Sequence, residues 1–316
     1  MPIVALAGGV GGARLAHGLQ QVLPPGDLTV IVNTGDDLEL HGLLVMPDHD
    51  TVVYTLAGLA DPVQGWGLAG ETYAAAAMLG RYGQPTWFRL GDRDLATHVV
   101  RTARVRAGER LTTVCLGLQA ALGLAGRVLP MSDDPVRTRV RTDDGWLDFQ
   151  DYFVRLHQAP EVREVRFDGA ATARASSEAL AAIEAAEAIV IAPSNPIVSI
   201  EPILAVPGVR AALDQARQRG APVVAVSPIV GGRALKGPAD RMLRSMGGDA
   251  SALAVASRYV GLIDGFLIDE ADRALAPSVV ALGLRVLVTD TVMVDDAART
   301  RLAAATLAFA TGQRTR

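Results

Sequence analysis

The sequence has 316 residues, half of them apolar and a fifth charged, with a net charge of −4. That composition supports a sizeable globular core and gives no electrostatic reason to expect nucleic acid, which favours clustered basic surface. Cys115 is the only cysteine, which excludes an internal disulfide and a cysteine-rich zinc site and fits a reducing compartment. No stretch has the length and hydropathy of a membrane span, and the apolar start Pro2–Ala7 is too short for a signal segment. A soluble, cytoplasmic protein is therefore expected.

Ile3–Ala7 is a short apolar run that ends at Gly8-Gly9-Val10-Gly11-Gly12, and Ala13–Leu23 follows with helical periodicity. Leu28–Asn33 is rich in β-branched residues and ends at Thr34-Gly35-Asp36-Asp37. Pro47-Asp48-His49-Asp50 then leads into a helix expected near Thr51, for which Asp50 offers a cap as the alternative to a metal-ligand role. Thr72–Tyr82 and Ala96–Ala107 have the pattern of helices, with an apolar run at Thr86–Leu90 between them. From 111 to 168 the rhythm changes to a helix, a loop at Pro130–Pro135 and an alternating stretch at Thr138–Phe149. It returns with apolar runs at Ala188–Ala192, Pro222–Ser227, Gly265–Ile268 and Val286–Thr289, separated by helical segments at Ser177–Glu187, Val209–Arg219 and Ala252–Tyr259. Near-continuous apolar strands alternating with helices predict a parallel sheet covered on both faces. The expected fold is α/β, a Rossmann-like doubly wound sheet over 1–110 and 169–316, with 111–168 as an inserted smaller subdomain covering the site.

Ligands of such sheets bind beyond the carboxyl ends of the strands, where this sequence collects its glycines and small polar and acidic residues. Glycines before a helix let backbone N–H groups approach a phosphate at the helix's positive end. The first loop is not a P-loop, because the Lys-Ser/Thr pair is missing. It also departs from the dinucleotide fingerprint, because Arg14 stands at the third glycine position. Asp36, Asp37, Asp48 and Asp50 lie between two predicted strand ends, and magnesium favours one or two carboxylates together with substrate phosphate oxygens. Asp37 and Asp50 are the expected principal ligands and catalytic groups, with Asp48 as a further ligand. His49, read in an extended segment, should point away from both neighbouring aspartates. Gly91-Asp92-Arg93-Asp94 opens a helix, and Ser194-Asn195 sits between two prolines after an apolar strand; each pattern also suits an ordinary cap or turn.

Six ordered motifs carry a resemblance over essentially the whole chain. They are the glycine segment, Asn33-Thr34-Gly35-Asp36-Asp37, Pro47-Asp48-His49-Asp50-Thr51, Gly91–His98, Met131-Ser132-Asp133-Asp134 and Ala192-Pro193-Ser194-Asn195-Pro196. The chain resembles the 2-phospho-L-lactate transferases of deazaflavin coenzyme F-420 biosynthesis. The resemblance implies a magnesium-dependent homodimer that uses lactyl- or enolpyruvyl-(2)diphospho-5′-guanosine as donor. The acceptor is the deazariboflavin precursor Fo, whose terminal ribityl hydroxyl attacks the distal phosphorus as GMP leaves. It implies donor contacts at Gly9, Val10, Gly11, Gly12, Asn33, Ser132, Ser194 and Asn195. Acceptor contacts are implied at Asp50, Thr51, Arg89 and Asp92, with Trp66 and Trp87 as candidate aromatic neighbours. Two other readings compete: a Rossmann-like nucleotide-binding regulator without turnover, and a nicotinamide oxidoreductase, which the broken fingerprint disfavours.

Overall fold

The computed structural model describes residues 1–312. In the first half the chain forms β1 (Ile3–Ala7), α1 (Gly9–Val22), β2 (Leu28–Val32), a small hairpin of β3 (Leu38–Leu40) and β4 (Leu43–Val45), and α2 (Pro47–Leu56). It continues through α3 (Ala74–Arg81), α4 (Asp92–Arg106), α5 (Leu111–Ala121), β5 (Arg127–Pro130), β6 (Arg137–Thr142), β7 (Gly145–Asp148) and β8 (Glu164–Asp168). The second half holds α6 (Ser177–Ala185), β9 (Ala188–Ile191), α7 (Glu201–Ala205), α8 (Val209–Gln218), β10 (Val223–Val226), and a short hairpin of β11 (Ile229–Val230) and β12 (Arg233–Ala234). It ends with α9 (Ala239–Ser245), α10 (Ala252–Arg258), β13 (Gly265–Ile268), α11 (Ala276–Val280), β14 (Arg285–Val288) and α12 (Asp296–Thr311).

Seven strands form one parallel sheet in the order β14-β13-β10-β9-β1-β2-β5. The strands are apolar without alternation because both faces are buried. On β1, Val4 and Leu6 enter one core and Ile3, Ala5 and Ala7 the other. The second core lies under α1, α2 and α12, which pack side by side. The expected doubly wound α/β fold is thus present. The helices at Ser177, Val209 and Ala252 start at those residues, and the four later strands match their apolar runs to within a residue or two.

Three local expectations are corrected. Arg127–Pro130, placed by its sequence inside the inserted segment, is the edge strand of the main sheet, with Val128 opposite Val30. The departure from the main sheet is confined to the antiparallel sheet β7-β6-β8 at Arg137–Asp168. Its Val140, Phe149 and Val162 join the same core as the main sheet, so it is braced against the domain rather than hinged from it. Thr86–Leu90 is no strand: no partner strand lies beside it, and it runs as irregular chain with Thr86 and Arg89 exposed. Finally, α2 starts at Pro47 after Met46, so Asp50 sits inside the first turn instead of capping it. Proline at the first helical position loses no hydrogen bond there.

Candidate active site

Strands β1 and β9 are neighbours from which the chain winds in opposite directions, and the crevice between their carboxyl ends is the switch point of the sheet. The glycine turn follows β1 and Pro193-Ser194-Asn195 follows β9, so the two segments meet there. The Gly8 N–H donates to Ser194 Oγ (3.0 Å), and that hydroxyl donates back to the Gly8 carbonyl (2.8 Å). A Cβ on Gly11 would fall 2.4 Å from the Pro193 carbonyl oxygen, and one on Gly12 would fall 2.6 Å from Ser194 Oγ. These two glycines are therefore demanded by the close approach of α1 to the end of β9. Gly9 differs, with a positive φ of 60° and space beside it. Asp48 takes the Gly9 N–H at the start of α1, and the N–H groups that follow it in the first turn keep their bonding capacity for another partner.

A cavity of about 400 Å³ opens at this crevice. Gly9, Val10, Gly11, Asp36, Asp48, Asp50, Thr51, Arg89, Ser194, Asn195 and Trp66 line it. Gly12, Asn33, Asp37, Trp87, Asp92 and Ser132, also singled out in the sequence, do not. Gly12 is packed against Ser194. Asn33 is fully buried behind the wall, where its side-chain amide donates to Asp48 Oδ2 (3.0 Å) and the Val198 carbonyl (3.1 Å). Asp92 accepts from Thr72 Oγ1 and the Ala74 and Ala75 N–H groups, which anchors the start of α3. Ser132 donates to the Arg174 carbonyl (2.7 Å) and accepts from the Asp134 N–H (2.9 Å), bracing a loop remote from the lining. Trp87 packs edge-on against Phe88, and Asp37 is buried outside the lining.

The acidic residues divide into two groups. Arg101, fully buried on α4, donates from Nη1 to Asp50 Oδ2 (3.0 Å) and from Nη2 to Asp50 Oδ1. Burial would raise the Asp50 pKa, but this guanidinium outweighs it and holds the carboxyl well below the usual range. Asp50 Oδ1 also lies 3.5 Å from His49 Nδ1, since both residues share the first turn of α2. His49 therefore faces its acidic neighbour, against the expectation from an extended segment. Burial would lower its pKa, yet Cys115 and Asp50 beside it raise it to about 10.

Asp36 and Asp48 form the second group and have no cationic partner among the described residues. Asp48 lies against the start of α1, where a Cβ on Gly8 would come 2.5 Å from its Oδ2. Burial pushes Asp48 up to about 6, opposed by bonds from Asn33 and Gly9. Burial, and then the charge of Asp48, raise Asp36 well above the ordinary carboxylate value, and its Oδ1 is buried without a hydrogen bond. An orphaned buried oxygen beside a second carboxylate suits a divalent cation. Asp50, Asp94 and His98 also bring ligand atoms within 4.8 Å of one another. There, however, Arg101 already neutralises Asp50, and Tyr54 donates to Asp94 at 2.7 Å, so both carboxylates of that cluster have partners where Asp36 and Asp48 have no cation.

Arg101, Phe149, Gln150 and Phe153 were not foreseen. Arg101 follows Asp94 and His98 of the Gly91–His98 motif on one face of α4 at helical spacing, a signal present in the sequence. Phe149, Gln150 and Phe153 reach the cavity from the segment after β7. The Phe149 and Phe153 rings stack with centroids 5.5 Å apart, and Gln150 donates to the Asp36 carbonyl (3.1 Å). No local pattern announces such an arrival.

The model of the 2-phospho-L-lactate transferase CofD family matches residues 3–303. Among curated proteins, the chain is 46% identical to a phosphoenolpyruvate transferase of Streptomyces griseus over 93% of this chain and 94% of that one. The corresponding protein of Kitasatospora aureofaciens is 47% identical over 98% of each chain. That of Mycobacterium tuberculosis is 42% identical over 92% of this chain and 94% of its own. Among solved structures, a UPF0052-family protein of Bacillus halodurans has the same fold, with a TM-score of 0.62 at 17% identity over 97% of this chain and 98% of that one.

Proposed function

The chain belongs to the 2-phospho-L-lactate transferase CofD family, and from that premise we propose that it transfers an enolpyruvyl phosphate group from a guanosine diphosphate conjugate to Fo. The names of its relatives, phosphoenolpyruvate transferases, favour enolpyruvate over lactate as the three-carbon group. One observation carries the reading: a single cavity holds the glycine-lined start of α1 and two buried carboxylates that lack a cationic partner. Phosphoryl transfer needs positioning and charge neutralisation more than covalent catalysis. The ribityl hydroxyl forms a bond to the distal phosphorus as that phosphorus parts from the GMP phosphate, and the hydroxyl proton is lost to solvent.

A magnesium ion is part of this reading. Asp36 and Asp48 are the residues that would hold it, since Asp50 is bound by Arg101 and Asp37 lies off the cavity. Its charge would offset the diphosphate and the two buried carboxylates. The N–H groups of Val10 and Gly11, with the Ser194-Asn195 turn, would receive the donor's nucleotide end. Thr51, Arg89, Trp66 and the stacked Phe149 and Phe153 would form the largely apolar side that a flat tricycle wants. Arg89 is preset there by its guanidinium lying 4.1 Å from the Tyr73 ring centroid.

Among the described residues no single helix is long and apolar enough to cross a membrane. A cytoplasmic homodimer completes the proposal, to be tested by cell fractionation and light scattering. The deciding experiment incubates the protein with Fo, both guanylated donors and magnesium, and identifies products by mass. Dehydro coenzyme F-420-0 and GMP are expected, and neither should form without magnesium. Donor binding with no product from either donor would favour the regulatory reading instead.

A further inference from the structure

Lys236 is the only lysine among the 30 lysines and arginines of the sequence. Its place in the fold is as unusual as its identity. The β11–β12 hairpin turns through Gly231 and Gly232, both at positive φ (56° and 79°). That turn is tied down: the Gly231 N–H donates to Asp272 (3.1 Å), and the Gly232 carbonyl accepts from Arg244 (2.9 Å). Residues 235–238 then run along the cavity wall. There Lys236 Nζ donates to the Gln64 carbonyl (3.2 Å) and has no carboxylate partner among the described residues.

The neighbour of Gln64 fixes where this ammonium sits. Gly65 rests on α1, since a Cβ on it would lie 2.9 Å from Val10 Cγ1. The contacts from Lys236 through Gln64 and Gly65 to Val10 thus hold a lone ammonium on the side of the cavity formed by the first turn of α1. Arg14, one turn along that helix, lines the same cavity. Its Nη1 donates only to the Met293 carbonyl (3.2 Å), and its Nε has no partner. Neither cation is paired with a carboxylate, and both line the cavity that holds the start of α1, so an anion lying among them would be drawn to all three.

We infer that Lys236, together with Arg14, grips the diphosphate of the donor and so sets donor affinity. This rests on the transferase reading above. An ammonium is a compact point charge that can follow a phosphate oxygen, whereas a guanidinium imposes a planar fork. That difference explains a lysine at this position in a chain that uses arginine at every other basic one.

The chain's single lysine makes the test direct, with GDP as the probe. An amine-selective acylating reagent should modify Lys236 and the N-terminus, and peptide mass spectrometry separates the two. GDP with magnesium should shield Lys236 while leaving the N-terminus, which is paired with Asp27, as reactive as before. Lys236→Met should weaken GDP binding at least tenfold and raise donor KM, with Fo affinity within twofold of wild type. Lys236→Arg should recover only part of the loss. If Lys236→Met binds GDP as wild type does, the inference is overturned, and product formation by wild type still decides the transferase reading separately. If wild type forms no product yet GDP shields Lys236 and the Met variant binds it weakly, the anion site stands and the reaction assignment falls.

Discussion

Arg101 shows how much a single residue can constrain here. It is fully buried, and the charge that balances it is Asp50, so neither can be removed alone without stranding the other. Breaking a buried pair from one side typically costs about 3–5 kcal/mol. Asp50→Asn and Arg101→Met should each lose stability on that order in urea titrations, and the double variant should lose less than the sum. Activity lost in Asp50→Asn is therefore to be compared at matched folded fraction, because the fold is perturbed as well as the site. Asp48 makes the opposite case. Its pKa, raised to about 6 from 3.8, means that the folded protein prefers the protonated form. The stability this contributes is complete below about pH 3.8 and is lost as pH rises through about 6. Asp48→Asn should accordingly match wild type near pH 4 and exceed it by roughly 3 kcal/mol near pH 8 without metal. Magnesium should close that gap by stabilising wild type alone. A gap independent of both pH and magnesium would remove Asp48 from the metal site.

At the scale of elements, the junction of β1 with α1 serves two purposes that individual glycines separate. Gly11 and Gly12 are packing positions against the Pro193-Ser194 turn, while a Cβ on Gly9 would make only an ordinary contact, 3.6 Å from Asp48 Oδ1. Gly11→Ala must push two backbone segments apart and should cost about 1–3 kcal/mol, lowering the melting temperature without ligand and also reducing the rise that GDP gives, because both segments line the donor end. Gly9→Ala meets no comparable obstacle but takes a non-glycine residue to a φ of 60°, at a cost of about 1–2 kcal/mol. It should stay folded and lose GDP affinity more than Fo affinity. Unchanged GDP binding by calorimetry would show that this helix end touches no phosphate. Two elements beyond the main sheet also matter. The Thr138 N–H donates to the Gly35 carbonyl (2.7 Å) and Gln150 to the Asp36 carbonyl, so the small sheet holds the acidic turn in shape.

On the scale of the whole molecule, the cavity is an interface among parts distant in sequence. The switch point supplies its phosphate end, the turn after β2 and α2 its carboxylates, and the segment after β7 its stacked aromatic rings. Under the proposed function these parts correspond to separate substrate moieties and should fail separately. Phe153→Ala removes half of the stack and should raise the KM for Fo about tenfold, with the KM for the guanylated donor little changed. Fo fluorescence titration and steady-state kinetics would check it; an equal rise for both substrates would mean that the rings support the cavity without facing the acceptor.

Strands and helices of the main sheet were legible because each is a local apolar pattern, and a parallel sheet buried on both faces leaves an unbroken one. Gly9–Gly11, Ser194 and Asn195, and Asp36, Asp48 and Asp50 could likewise be named from their positions at or between predicted strand ends, and they line one cavity, whereas Gly12, Asn33 and Asp37, named in the same way, do not. Other properties depend on contacts between residues far apart in the chain. Arg127–Pro130 belongs to the main sheet only because β2 offers it a free edge, and Thr86–Leu90 is no strand because nothing does. Asp50 is spoken for by a residue 51 positions away, while Asp36 and Asp48 are left without a cation. Which carboxylate is paired and which is open is set by three-dimensional proximity, since charges interact through space with no regard for sequence order. The sequence by itself determined the sheet, its loaded edge and the family. Tertiary structure alone decided which of those residues share a cavity and which of their charges remain to be answered by a ligand.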